Sequence, residues 1–303
     1  MLNRPIILAC TDFSPHSDIT LRTADKIRQS TQGKLYVAHV SEIISQLNIN
    51  THTLSPSLDQ QSLTEIVHKN ANDRLDDQIK SLEIEAEPIF RLGVPANGIL
   101  ELIKEKKADL LVMGHGGAGT IERLLLGGLT QKMIRHSPIP VWVVKKETKI
   151  NRIVGLVDDS DCMKDVILAS EELSYLLNSS LEIVSVWQDY PMTLTSYASE
   201  YAAAYAGMGA AEREGILNKM RKNIQQNLSD ESKTKVRVEV TQNPKVAHAL
   251  VEILNEDHAN LAVMGSHGRN FLDRILLGSE TKRVLELFEG NIVILPSKDK
   301  KEN

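Results

Sequence analysis

The sequence predicts two tandem α/β domains, each a doubly wound, Rossmann-like parallel sheet of five strands, and three observations carry that prediction. The chain has 303 residues, too many for one ordinary core; two domains of about 150 residues each suit it better. Short apolar runs alternate with helical patterns of ten or more residues, an order that demands parallel pairing and right-handed crossovers. A block also recurs: Asp109-Leu-Leu-Val-Met-Gly114 returns as Asn260-Leu-Ala-Val-Met-Gly265, and Arg123-Leu-Leu-Leu-Gly127 as Arg274-Ile-Leu-Leu-Gly278, at a constant offset of 151. Nine of the twenty positions from 109 to 128 are identical at that offset. Near the start of each half the offset is 146, with Ile6 to Asp12 over Arg152 to Asp158 and Ser14 over Ser160. The boundary falls near Thr148, giving domains 1–148 and 149–303.

Each element follows from local pattern. Residues 6–11 are a short continuous apolar run, as expected of a strand buried on both faces. A helical pattern over 17–31 stops at Gly33. Residues 35–40 read as a strand, 62–82 as a helix, 84–90 as a strand, 95–106 as a helix with Pro95 in its first turn, and 110–113 as a strand. After the glycine-rich block come a short helix, a second helix to about 136, and a last strand at 141–144. The second half repeats the order, with strands near 153–157, 181–186, 236–240, 261–264 and 292–295. Sheets of this kind bind ligands beyond the carboxyl ends of their strands, where the strand order reverses.

Composition narrows the function classes. Formal charge is −5, and the 35 Lys and Arg are spread along the chain, so neither a nucleic-acid groove nor an anionic membrane patch has an electrostatic footprint. No apolar run approaches the roughly 18 residues of a membrane span, and the run 6–10 is too short for a secretory leader. The protein is expected to be soluble and cytoplasmic. Cys10 and Cys162 lack metal-ligand spacing, which fits a reducing compartment.

The glycine block carries the strongest chemical signal. Gly265 and Gly268 follow a buried strand directly, and Gly278 with Ser279 opens another helix. The first pair permits close approach of a ligand to the backbone. The second presents helix N-terminal N–H groups and a hydroxyl to an anion, and Arg269 supplies a cation nearby. The plain alternative is that these are turn glycines and Ser279 an ordinary cap. Gly114-His-Gly116-Gly117-Ala-Gly119 also satisfies a dinucleotide fingerprint, but it follows the fourth strand and lacks the acid about 20 residues on, so NAD is disfavoured.

Gly265-x2-Gly268-x9-Gly278-Ser279, after Leu-Ala-Val-Met and before a helix, resembles the nucleotide motif of universal stress proteins of the ATP-binding type. The resemblance covers both halves and points to the tandem members of that family, whose fold is of the adenine-nucleotide alpha-hydrolase kind. It implies that Asp158 contacts the adenosine end, that Val186 lines the adenine pocket, and that Gly265, Gly268, Gly278 and Ser279 hold ribose and phosphates. His267 lies within the turn, in reach of phosphate or ribose. The implied ligand is ATP, or AMP or ADP, with Mg²⁺ held by the phosphates and no protein metal site. In the first half Asp12, Val40, Gly114, Gly117 and Gly127 keep the pattern, but Gly128 stands where Ser279 supplies a hydroxyl. Losing a hydrogen bond to a charged phosphate costs about 1.5–3 kcal/mol. Thr130 is a possible substitute donor, and the first site reads as the weaker one.

Smaller features stand beside plain readings. Tyr197, Tyr201 and Tyr205 are four apart, one face of a helix over 196–206, with Tyr190 just before; they serve packing, a subunit interface or a lid. His39 ends a buried strand and reads as a hydrogen-bonded core residue, and Cys10 as a buried, unreactive thiol. No nucleophile is paired with a base. The leading function is a stress-response regulator that binds adenine nucleotide mainly in the second domain. The rivals are a slow ATP hydrolase and an interaction scaffold with vestigial pockets. The halves are expected to pair internally through residues 141–144 and 292–295, closing two sheet edges, with a further homodimer possible.

Overall fold

The computed structural model describes residues 4–42, 60–116, 126–188, 208–232, 236–266 and 277–296. Contacts group the chain into two units, Met1–Glu147 and Thr148–Asn303. The first runs β1 (Ile6–Cys10), α1 (Pro15–Thr31), β2 (Lys34–Ser41), α2 (Gln60–Ser81), β3 (Glu87–Leu92), α3 (Pro95–Lys106), β4 (Leu110–Gly114), α4 (Gly128–His136), β5 (Val141–Val144). The second runs β6 (Arg152–Leu156), α5 (Met163–Leu176), β7 (Ser180–Gln188), α6 (Ala210–Asn227), β8 (Arg237–Asn243), α7 (Val246–Glu256), β9 (Leu261–Gly265), α8 (Ser279–Leu287), β10 (Asn291–Leu295). All pairings within each unit are parallel. The order is β3-β2-β1-β4-β5 in the first and β8-β7-β6-β9-β10 in the second. Each sheet therefore reverses direction between its first and fourth strands, opening a crevice at their carboxyl ends.

The central strands are apolar because helices cover both faces. In β4 the four residues Leu110 to Met113 are buried, and β9 shows the same pattern from Leu261 to Met264. Trp142 in β5 is fully buried. The repeats share a brace at the amino end: Asp109 accepts a hydrogen bond from the Ile6 N–H at 2.8 Å, and the equivalent Asn260 accepts from the Arg152 N–H at 3.0 Å. An acid and its amide serve one purpose here, since only the carbonyl-type oxygen is used.

Helix ends explain most boundaries. Ser14 caps α1, its hydroxyl accepting from the Ser17 N–H at 3.2 Å, and Pro15 occupies the first turn, where a missing N–H costs nothing. The third strand begins at Glu87, later than the 84 expected from hydropathy. Glu83 turns left-handed (φ 53°) and the Ile84 N–H donates back to Ile79 O at 3.3 Å. That donor finishes α2 and is unavailable to a ladder. The short helix expected after the glycine block lies outside the described residues, as do Tyr190, Tyr197, Tyr201 and Tyr205 and most of the insert 43–61.

Candidate functional site

The crevice of the first unit is a pocket of about 480 Å³. Thr11 and Asp12 enter it from the end of β1, His16, Ser17 and Thr20 from α1, Gly114 and Gly116 from the end of β4, and Gly127 to Thr130 from the start of α4. The Asp12 carboxylate accepts from the Ser14 N–H at 3.0 Å and the Ser14 hydroxyl at 2.6 Å, which fixes it at the mouth of α1. Asp12, Gly114 and Gly127 thus meet in one pocket. Val40 is not among its lining residues; its side chain packs on α3, where a Cβ on Gly98 would lie 2.6 Å from Val40 Cγ1. Gly117 lies outside the described residues.

Both repeats build the turn after the fourth strand alike. The His115 N–H donates to Val144 O at 3.0 Å and the Gly127 N–H to His115 O at 2.7 Å. In the second unit the Ser266 N–H donates to Leu295 O at 3.0 Å and the Gly278 N–H to Ser266 O at 3.1 Å. Gly127 and Gly278 are the N-caps of α4 and α8, with nearly the same backbone angles (φ −60° and −56°) and no side-chain cap. An uncapped helix start leaves donors facing the crevice with the positive end of the helix dipole behind them. Ser279, the first residue of α8, also borders a groove of about 400 Å³ against the start of α7. Asp158 lies two residues past the end of β6, and Val186 is buried near the end of β7. His267, Gly268 and Arg269 lie outside the described residues.

One substitute expected from the sequence is overturned. The Thr130 hydroxyl donates to Gly114 O at 2.8 Å, and its counterpart Thr281 donates to Gly265 O at 3.1 Å. A hydroxyl has a single hydrogen, so neither threonine has one left for a phosphate. Both tie a helix to the glycine that ends the strand.

Around the pocket, other polar groups are committed to the fold. The Thr11 hydroxyl sits 2.8 Å from Gln78 Oε1 and 2.9 Å from the Ser17 hydroxyl, and Gln78 donates to Asp18 at 2.6 Å, locking α2 to α1. His39 Nδ1 lies 2.8 Å from Thr11 O, and the ring packs between Phe13 and Phe90, with centroids 4.5 and 5.9 Å away. Burial holds its pKa below the usual imidazole value, so the neutral ring donates to that carbonyl. Burial pushes the Cys10 thiol up to about 12, which leaves it without nucleophilic thiolate. No group of three His, Cys, Asp or Glu among the described residues is arranged to hold a metal. No helix among them is long and apolar enough to cross a membrane.

His16 was missed by sequence reasoning. Its signal was its place: four residues after the acid that follows β1, on the first turn of a helix starting at the crevice. Gln78 gave no such signal, since it reaches the strand end from 67 residues away along the chain.

Fold and site together define a tandem, doubly wound α/β protein with a glycine turn and an uncapped helix at the crevice of each sheet. A model of the universal stress protein family matches residues 3–145 and again 149–296; the chain belongs to that family. A universal stress protein of Methanocaldococcus jannaschii is 51% identical over 57 residues, 19% of this chain and 34% of that protein, a match over about a third of the relative's length. One from Synechocystis is 24% identical over 302 residues, covering 92% of this chain and 95% of its own. The crystal structure of a universal stress protein from Archaeoglobus fulgidus aligns with a TM-score of 0.66 at 17% identity, over 96% of this chain and 97% of that one.

Proposed function

We propose that the protein binds an adenine nucleotide, ATP with Mg²⁺, in its second domain and acts as a binding module in a stress response. The observation that supports this most is the uncapped start of α8 at Gly278, with the Ser279 hydroxyl at its first position beside the carboxyl end of β9. A polyphosphate fits such a place because oriented N–H groups and the helix dipole both favour negative charge. In this reading Asp158 and Val186 hold the adenosine end, and Gly265, His267, Gly268, Arg269, Gly278 and Ser279 hold ribose and phosphates. Bound Mg²⁺ neutralises phosphate charge and is carried by the phosphates themselves. Asp12, Gly114, Gly117 and Gly127 form the weaker first site, without Val40.

The remaining parts of the proposal are a cytoplasmic location, a domain boundary at 148/149, and pairing of the halves through their last strands. Pairing predicts slow amide exchange throughout Val141–Val144 and Asn291–Leu295 in the full chain. Fast exchange along either strand counts against it. For the nucleotide, the purified protein is denatured and the released small molecules are identified by mass spectrometry, while Mg-ATP is added to a thermal melt. We expect an adenine nucleotide or a rise in melting temperature, lost in Gly278→Val, and labelled ATP left intact on incubation. Neither nucleotide nor shift would sink the reading; turnover abolished by Gly278→Val would make the protein an ATP hydrolase.

A further inference from the structure

We infer that the groove between α6 and the end of β7 is a second ligand site, which takes a small planar aromatic acid. It stands independently of the nucleotide reading above. The groove has a volume of about 620 Å³, and its walls include Asp159, Trp187 and, from α6, Ile216, Lys219, Met220 and Lys222. Side chains along a strand alternate between the two faces of a sheet. Ser185 meets α6, its hydroxyl 3.6 Å from Met220 Sδ, and Trp187, two residues on, turns to the same helix. Val186 between them is buried on the other face, so the groove is separate from the place that Val186 lines.

The first repeat shows what belongs at these positions when the chain supplies it. There His39 of β2 lies opposite Phe90 of β3, and the rings of Phe13, His39 and Phe90 follow one another with centroids 4.5 and 5.9 Å apart. The Arg74 guanidinium of α2 covers Phe13, 4.1 Å from its centroid, a cation on an aromatic face. In the second repeat the same register sets Ser185 opposite Val240, and the offset that sets Asp12 over Asp158 puts Asp159 in the place of Phe13. Three rings are thus replaced by smaller side chains, and room is left for a ring from outside. The walls fix its chemistry. Trp187 supplies an indole on which a flat ring stacks, and Ile216 and Met220 supply apolar contact. Lys219 and Lys222 are exposed and, among the described residues, neither has an ion-pair partner. The Asp159 carboxylate accepts from Asn223 Nδ2 at 3.4 Å. Two ammonium groups against that one carboxylate leave the walls positive, which favours an anionic group on the ring.

The test follows the two indole N–H resonances of the full chain by NMR as sodium benzoate is added, with Trp187→Phe to assign them. Benzoate is expected to move the Trp187 signal saturably and to leave that of Trp142 in place. Benzyl alcohol, a ring without the charge, and cyclohexanecarboxylate, a charge without the ring, are each expected to bind at least about fivefold more weakly. Lys219→Met combined with Lys222→Met should weaken benzoate by a similar factor, and Asp159→Phe, which copies the first repeat at an exposed position, should abolish its binding. Saturating Mg-ATP should leave benzoate bound. The inference is overturned by the lack of a saturable shift, by either analogue binding as well as benzoate, by unchanged binding in either variant, or by displacement with Mg-ATP, which would make the groove part of the nucleotide site.

Discussion

The amino ends of the two sheets hold the same arrangement built from opposite charges. In the first unit Tyr36 of β2 lies opposite Glu87 of β3, and Lys34 and Lys106 sit over its ring at 4.7 and 5.3 Å. Lys34 also pairs with Glu87 at 2.7 Å. In the second unit the matching residue is Glu182 of β7, opposite Arg237 of β8, and Asp257 takes the place of Lys106. Arg152 Nη2 reaches Glu182 at 3.2 Å and Asp257 at 2.8 Å. Arg237 Nε lies 3.1 Å from Glu182, a charge contact without hydrogen-bond geometry. What the repeats share is a central side chain bracketed by a neighbouring strand and a helix end; the chemistry of the bracket was free to change. The cations around Tyr36 are partly solvated, whereas Glu182 is 3% exposed. Exposed pairs contribute about 0–1 kcal/mol, while removing one partner of a buried ion pair costs about 3–5 kcal/mol.

The largest expected effect follows from that contrast. Arg152→Ala leaves Glu182 and Asp257 facing the more exposed Arg237, and with Arg152 35% exposed the loss should be about 2–3 kcal/mol of second-domain stability, measured by urea unfolding. A loss no greater than that of Lys106→Ala would erase the contrast. At the carboxyl ends, Ser279→Gly makes the second cradle like the first. Under the proposed nucleotide reading it should weaken ATP binding by about 1.5–3 kcal/mol, roughly tenfold or more, by calorimetry.

A smaller effect is a pH slope confined to the second unit. Burial, reinforced by the Asp257 carboxyl, raises the Glu182 pKa from 4.5 to about 7. The folded chain therefore holds this proton more tightly than the unfolded one. The resulting stability is complete below about pH 4.5 and is lost as the pH rises through about 7. Glu182→Gln stays neutral, so relative to it wild type should lose about 1–2 kcal/mol between pH 5 and 8, read as a shift in urea midpoint. Parallel profiles would count against burial as the cause. Smallest of all, Lys106→Ala should cost under about 1 kcal/mol, with no pH dependence in that range.

Elements whose cause is local were legible from the chain alone. The apolar runs of β4 and β9, Pro95 at the start of α3 and the glycine caps of α4 and α8 all lie where pattern and turn chemistry put them. The start of β3 was not legible, because the Ile84 N–H is spent on closing α2 and hydropathy records no hydrogen bonds. In the site, Asp12, Gly114 and Gly127 line one pocket, while the role of Thr130 depended on a carbonyl 16 residues away. The Glu182 cluster joins residues 152, 182, 237 and 257, contributed by three strands and the end of α7. Only the sheet order brings them together.

The two tryptophans, Trp142 in β5 and Trp187 in β7, give each repeat its own optical label. Trp142 is sealed in the first sheet, so its emission is blue and deaf to a dissolved quencher. Trp187 is half-buried near the carboxyl end of the second sheet, in a groove it lines with Asp159 and α6, where a dissolved quencher reaches it. Intrinsic fluorescence of the unmodified chain thus reports the packing of α6 on the second sheet against a constant internal standard from the first.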